Sequence, residues 1–205
     1  EILPLWHPTL GDDVPGVVSV LVIPAVDPLD PRAPRPDTLL LQAVRDYVEP
    51  RRLITTEVHV VGPCYIPIWA SVGVQVRGGH SHDSVLQAVR AALFDYLSPL
   101  TGGPDDERPR DQRGWPLRKK VLARDLEAVV TRVNGVEYVQ GDLLLAGANS
   151  RGVQEIVLSG VDLPRLVAVA VTDSAPEPIE QVVGDDPGPG TTDDIVAVPV
   201  VPRRC

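Results

Sequence analysis

From Ile66 to Val76 every second residue is apolar: Ile66, Ile68, Ala70, Val72, Val74 and Val76. A period of two sustained over this length fits a β-strand with one buried face and does not fit a helix. The alternate set, Tyr65, Pro67, Trp69, Ser71, Gly73 and Gln75, is harder to place. A catalytic pocket, a second layer of core and a docking surface all accommodate a tyrosine, a proline and a tryptophan on one strand face. Pro67 has no N–H to give to a ladder, so an edge or bulge position is expected there. Trp69 is covered either by a helix or loop of its own chain or by a partner, since aromatic side chains are enriched at the centres of interfaces.

The neighbouring segments supply the rest of the architecture. VVSVLVIP at 17–24 reads as a buried strand ended by proline. DPLDPRAPRP follows, with four prolines that prevent continuous helix. Asp37 or Thr38 caps the next helix, whose apolar stripe is expected at Leu40, Val44, Tyr47 and Val48, with Pro50 as the stop. Strands are expected at 53–61, with Ile54, Thr56, Val58 and Val60 alternating against Thr55, Glu57 and His59, and at 65–77, across the Gly62-Pro63 turn. After Gly78-Gly79, Ser81 or Asp83 caps a helix bearing Val85, Ala88, Val89, Ala92, Leu93 and Leu97 on one face. The order β-α-β-β-α is most of a split βαβ, or ferredoxin-like, unit.

Residues 101–118 form a polar loop, a third helix is expected over 119–133, and Asn134-Gly135 suits its left-handed C-terminal cap. Strands at 136–145, 154–159 and 164–172 then make a second small unit. The fold class is therefore α+β. An extended leader occupies 1–16, a ferredoxin-like domain 17–100, a second α+β domain 119–172, and an acidic, Pro/Gly-rich extended tail 173–205, too poor in apolar surface to fold alone. Within the tail, IVAVPVVP is able to add a strand to a neighbouring sheet or to pack on its own domain.

Composition narrows the function classes. A net charge of −9 disfavours nucleic acid and anionic lipid as partners, and no apolar run reaches the roughly 20 residues of a membrane helix. Cys64 and Cys205 make neither a disulfide framework nor a zinc cage, so a reducing compartment is expected. The chain has no methionine, and a partial chain lacking an N-terminal portion is expected. His80-Ser81-His82-Asp83 is the sharpest metal candidate, and a metal-dependent enzyme using His80, His82 and Asp83 is the rival reading. Its position between a strand end and a helix start also calls for Ser and Asp as caps, and His59 and His7 are remote in sequence. Cys64 with His59 reads better as a small buried cysteine than as a thiol–base pair. Asp105-Asp106-Glu107 and Asp185-Asp186 read as solvated loop charge. Arg51-Arg52 and Arg118-Lys119-Lys120 lie at helix ends, where they suit the dipole or a partner's acidic surface. No phosphate loop, nucleophile elbow or zinc-protease helix is present. No catalytic, cofactor or metal site is therefore expected.

The order VLVIP, helix, RRLITTEVHVVGPCYIPIWASVGVQV, then a helix ending DYLSPLTGG resembles the baseplate J-like proteins of contractile phage tails and related injection machines. GWPLRKKVLARDLEAVVTRVNGVEYV strengthens the resemblance, through Gly114-Trp115-Pro116, a helix, and Gly135-Val136 entering a strand. It covers about residues 17–170. Leu117-Arg118 stands where the family usually has Phe-Gly, and the DDERPRDQR insertion is long. The resemblance implies a structural wedge component without turnover and without a cofactor. It would associate with other wedge proteins, including a second J-like or wedge subunit, and with sheath- or tube-proximal baseplate and spike components. Assembly in a bacterial cytoplasm and residence in the particle's baseplate follow from the same resemblance. Tyr65, Trp69 and Trp115 are the candidate partner contacts.

Overall fold

The computed structural model describes residues 1–104 and 114–184. The architecture is mixed α+β in small units, as the sequence leads one to expect. Two compact units divide between Cys64 and Tyr65, so the expected 17–100 stretch contributes to both.

In the first unit, β1 (Ile2–Pro4) pairs antiparallel with β2 (Val17–Leu21), and β2 pairs parallel with β3 (Glu57–Val61). Parallel neighbours need a crossover, which α1 (Thr38–Val48) provides. Asp37 caps α1, accepting the Leu40 N–H at 2.7 Å. The apolar stripe is rotated from the one expected. Leu41 is the buried helical residue, with Val44 and Val48 half-buried, while Leu40 and Tyr47 face outward. Leu41, Val44 and Val48 lie at i, i+3 and i+7, an equally good helical face, so periodicity alone does not choose between the two. Residues 53–56 form a turn instead of the start of a strand, which leaves Ile54 97% exposed.

In the second unit, a four-stranded sheet has the order β7 (Ser150–Val153), β6 (Val136–Gly147), β4 (Cys64–Val76), β9 (Asp162–Thr172). A two-stranded ribbon pairs β5 (Val121–Leu122) with β8 (Glu155–Ile156). Helices α2 (His82–Tyr96) and α3 (Ala123–Thr131) pack on each other, with α2 also against β9 and α3 against β6. They bury Val85, Val89 and Leu93 from α2 and Ala123, Leu126 and Val130 from α3. Gly135, at φ +95, makes the left-handed turn that ends this helical segment. The described part of the 173–205 segment is not wholly extended, because α4 (Ile179–Val183) forms within it. The IVAVPVVP run and both acidic clusters, Asp105-Asp106-Glu107 and Asp185-Asp186, lie outside the described residues. Among the described residues no helix is long and apolar enough to cross a membrane.

Candidate functional site

Strand β4 is a central strand with both faces buried. Ile68, Ala70, Val72 and Val74 are fully buried on one face, and Tyr65, Trp69 and Ser71 are buried on the other. On the β6 side Pro67 needs no N–H, because that pairing starts one residue later, at Ile68 opposite Gly147. The second face is covered by the chain itself. Trp69 packs in one cluster with Ala146, Ile179 and Val183, flanked by Leu144, Ala168 and Val182. Further along the same face, a Cβ on Gly73 would lie 2.0 Å from the Ser174 carbonyl oxygen and 2.9 Å from the Pro176 nitrogen. Residues 174–176 therefore cross β4 at the height of Gly73, and α4 then seats on Trp69. The Thr172 hydroxyl holds the start of this strap by donating to the carbonyls of Ala175 (3.0 Å) and Ser174 (3.3 Å).

Trp115 is equally enclosed. Its ring meets Tyr96 edge-to-face at 5.7 Å, its indole N–H donates to the Lys119 carbonyl, and its backbone N–H donates to Pro99. Gly114 precedes it at φ +140, where a Cβ would lie 2.6 Å from the Pro99 oxygen. The Gly-Trp-Pro motif thus docks on the end of α2 and aims the chain into β5. Exposures of 6% at Tyr65, 4% at Trp69 and 3% at Trp115 place all three expected contact residues inside the folded chain. The sequence names them for their residue type, and type does not say which element covers them.

The His80 motif is dispersed. His80, His82 and Asp83 are exposed, and His82 Nδ1 lies 3.1 Å from an Asp173 carboxylate oxygen, linking the start of α2 to the end of β9. His80 instead approaches Gly135, whose Cβ would lie 3.0 Å from its Nδ1. These three residues form no metal-ligand group among the described residues. The basic pairs are used locally: Arg51 stacks over Tyr47 at 4.0 Å and donates to the Tyr47 carbonyl, Arg52 pairs with Glu49 at 2.8 Å, and Lys120 pairs with Glu155 at 3.1 Å.

A different cluster forms in the first unit from His7, Glu57 and His59, and the sequence places only the last two on one face. One ligand atom from each lies within 4.8 Å of those of the other two. The topology explains it. His59 on β3 pairs with Ser19 on β2, and the buried Ser19 hydroxyl donates to the carbonyl of Trp6 at 2.7 Å. The next residue is His7, whose ring meets that of His59 at 4.6 Å, edge to face. Glu57 and His59, two residues apart on a strand, share a face. The His7 ring is oriented by a tight 7–11 turn, with the N–H groups of Thr9 and Leu10 donating to Nδ1 at 3.0 and 3.1 Å. His59 Nε2 is buried and lies 3.1 Å from a Glu57 oxygen, yet makes no aligned hydrogen bond. The close approach lies off the N–H axis. Burial holds the His59 pKa below the ordinary histidine value, and the Glu57 carboxylate opposes it.

No family model and no curated protein matches this chain. Among solved structures, a chain of "Cryo-EM structure of the anti-feeding prophage (AFP) baseplate, 6-fold symmetrised" is similar over 77% of this chain and 29% of that one. Identity is 15% and the TM-score 0.47. A likeness of this degree assigns no role, and this chain spans less than a third of that one.

Proposed function

We propose that the chain is a structural component of a contractile injection machine's baseplate, of the J-like wedge kind. It assembles by protein–protein contacts with other wedge subunits into a ring around spike and tube, and takes part in the rearrangement that releases sheath contraction. The motif order from VLVIP to Gly135-Val136 supports the choice of machine. The observation that carries an assembly role is the apolar surface of the first unit. Leu29, Ile54, Val26, Leu39, Leu53 and Tyr47 are all at least 63% exposed, and Leu53-Ile54 presents two large aliphatic side chains side by side in sequence. The neighbouring exposed pair Leu53-Ile54 is what supports a surface that a partner covers.

The test is purification of the tagged chain from its native cell, comparing wild type with Leu53→Asp/Ile54→Asp. Both residues are exposed, so folding stability should change by no more than about 0.5 kcal/mol each. The wild type is expected to bring down sheath, tube and spike proteins in fixed ratio, and the double variant to lose them. A wild type that purifies without baseplate proteins overturns the proposal.

A further inference from the structure

The geometry points to a divalent transition-metal site, of the zinc class, formed by His7, Glu57 and His59 in the first unit. Two imidazoles and one carboxylate are a donor set for zinc-class cations, whereas magnesium and calcium prefer oxygen donors. The spacing fits. Donors bonded at about 2.0–2.1 Å around a tetrahedral centre sit roughly 3.3 Å apart, and His59 Nε2 to the Glu57 oxygen is 3.1 Å. That pair is also misaligned for a hydrogen bond, leaving a buried ring nitrogen without an aligned partner. A cation shared by both atoms satisfies the nitrogen and the carboxylate together.

Two of the three ligands come from one fixed strand. Glu57 and His59 stand on β3, and the 7–11 turn orients His7. Glu57 is exposed, so the site opens to solvent and a cation has an entry path. With the Thr9 and Leu10 N–H groups on Nδ1 of His7, Nε2 is the nitrogen left for a cation. A metal-bound histidine usually donates from its other nitrogen instead. Loading the site therefore moves the His7 proton to Nδ1 and displaces both backbone N–H groups. Metal and turn are coupled, and binding is weaker than in a closed structural zinc site.

The experiment uses the whole chain, stripped with a chelator and titrated with Zn²⁺ by calorimetry and with Co²⁺ by visible absorption. One equivalent is expected to bind. Glu57→Gln and His59→Gln should each weaken binding by at least the ~10–100-fold seen when metal-supporting residues are removed. His82→Ala should leave binding unchanged. Zn²⁺ should also shift the amide resonances of Thr9 and Leu10. If His59→Gln fails to fold, Glu57→Gln decides, because Glu57 is exposed and its change leaves the core intact. The proposal is overturned if no equivalent binds, or if binding survives Glu57→Gln undiminished.

Discussion

Asp27 organises the proline-rich connector. Its carboxylate accepts the N–H groups of Leu29 (2.9 Å), Arg35 (3.1 Å) and Asp30 (3.4 Å). The bond from Arg35, then that from Leu29, holds its pKa below the usual carboxylate value of 3.8. Because the folded value is the lower one, the stabilisation is complete above 3.8 and is lost as pH falls through the folded value. Denaturant midpoints measured from pH 5 downward should therefore drop more steeply in wild type than in Asp27→Asn. Gly73 has a steric role instead of an electrostatic one. Its missing Cβ is the space occupied by the backbone of 174–176. Gly73→Ala is expected to destabilise by about 1–3 kcal/mol, as overpacking does, and chemical denaturation measures it. The sequence marks Gly73 as a break in the second face of a strand, but the segment that fills the gap lies far along the chain.

At the scale of elements, the strap and α4 answer the question posed by the aromatic face of β4. The alternation of Ile66 to Val76 is legible because it is local and periodic. The cover is not: IEQVV at 179–183 is too short to show a helical period, and its acidic surroundings read as tail. Ile179 and Val183 are four residues apart, one helical turn, and both reach the Trp69 cluster. Trp69→Ala should destabilise by about 3–5 kcal/mol and Ile179→Ala by about 2–5 kcal/mol, with coupling between them because the side chains touch. Thermal unfolding of the two single variants and the double variant checks both statements. The rotated stripe of α1 and the His7–His59 meeting share a cause with the missed strap. Each is decided by tertiary pairing, which puts Leu41 inward and brings Trp6 over Ser19. The α2 face, with Val85, Val89 and Leu93, is legible because cap, period and length agree.

At the scale of the whole molecule, each unit has its own buried apolar set: Leu3, Val17, Leu21, Leu41 and Val61 in one, and the β4 sheet with its helices in the other. A fragment of residues 65–184 should therefore unfold in a single cooperative transition, which calorimetry will show. Loss of cooperativity in that fragment would mean that the second unit depends on the first. The strap also sets an order of events during synthesis. Trp69 is made early, and the helix that covers it comes only after every strand of its sheet. A growing chain therefore presents an open tryptophan face for most of its elongation, the kind of surface that chaperones hold and that aggregates when crowded. Closing so distant a contact is slow, so the Trp69 environment should be the last to become native in a refolding experiment. Chains cut short before Ile179 should precipitate where full-length chains stay in solution.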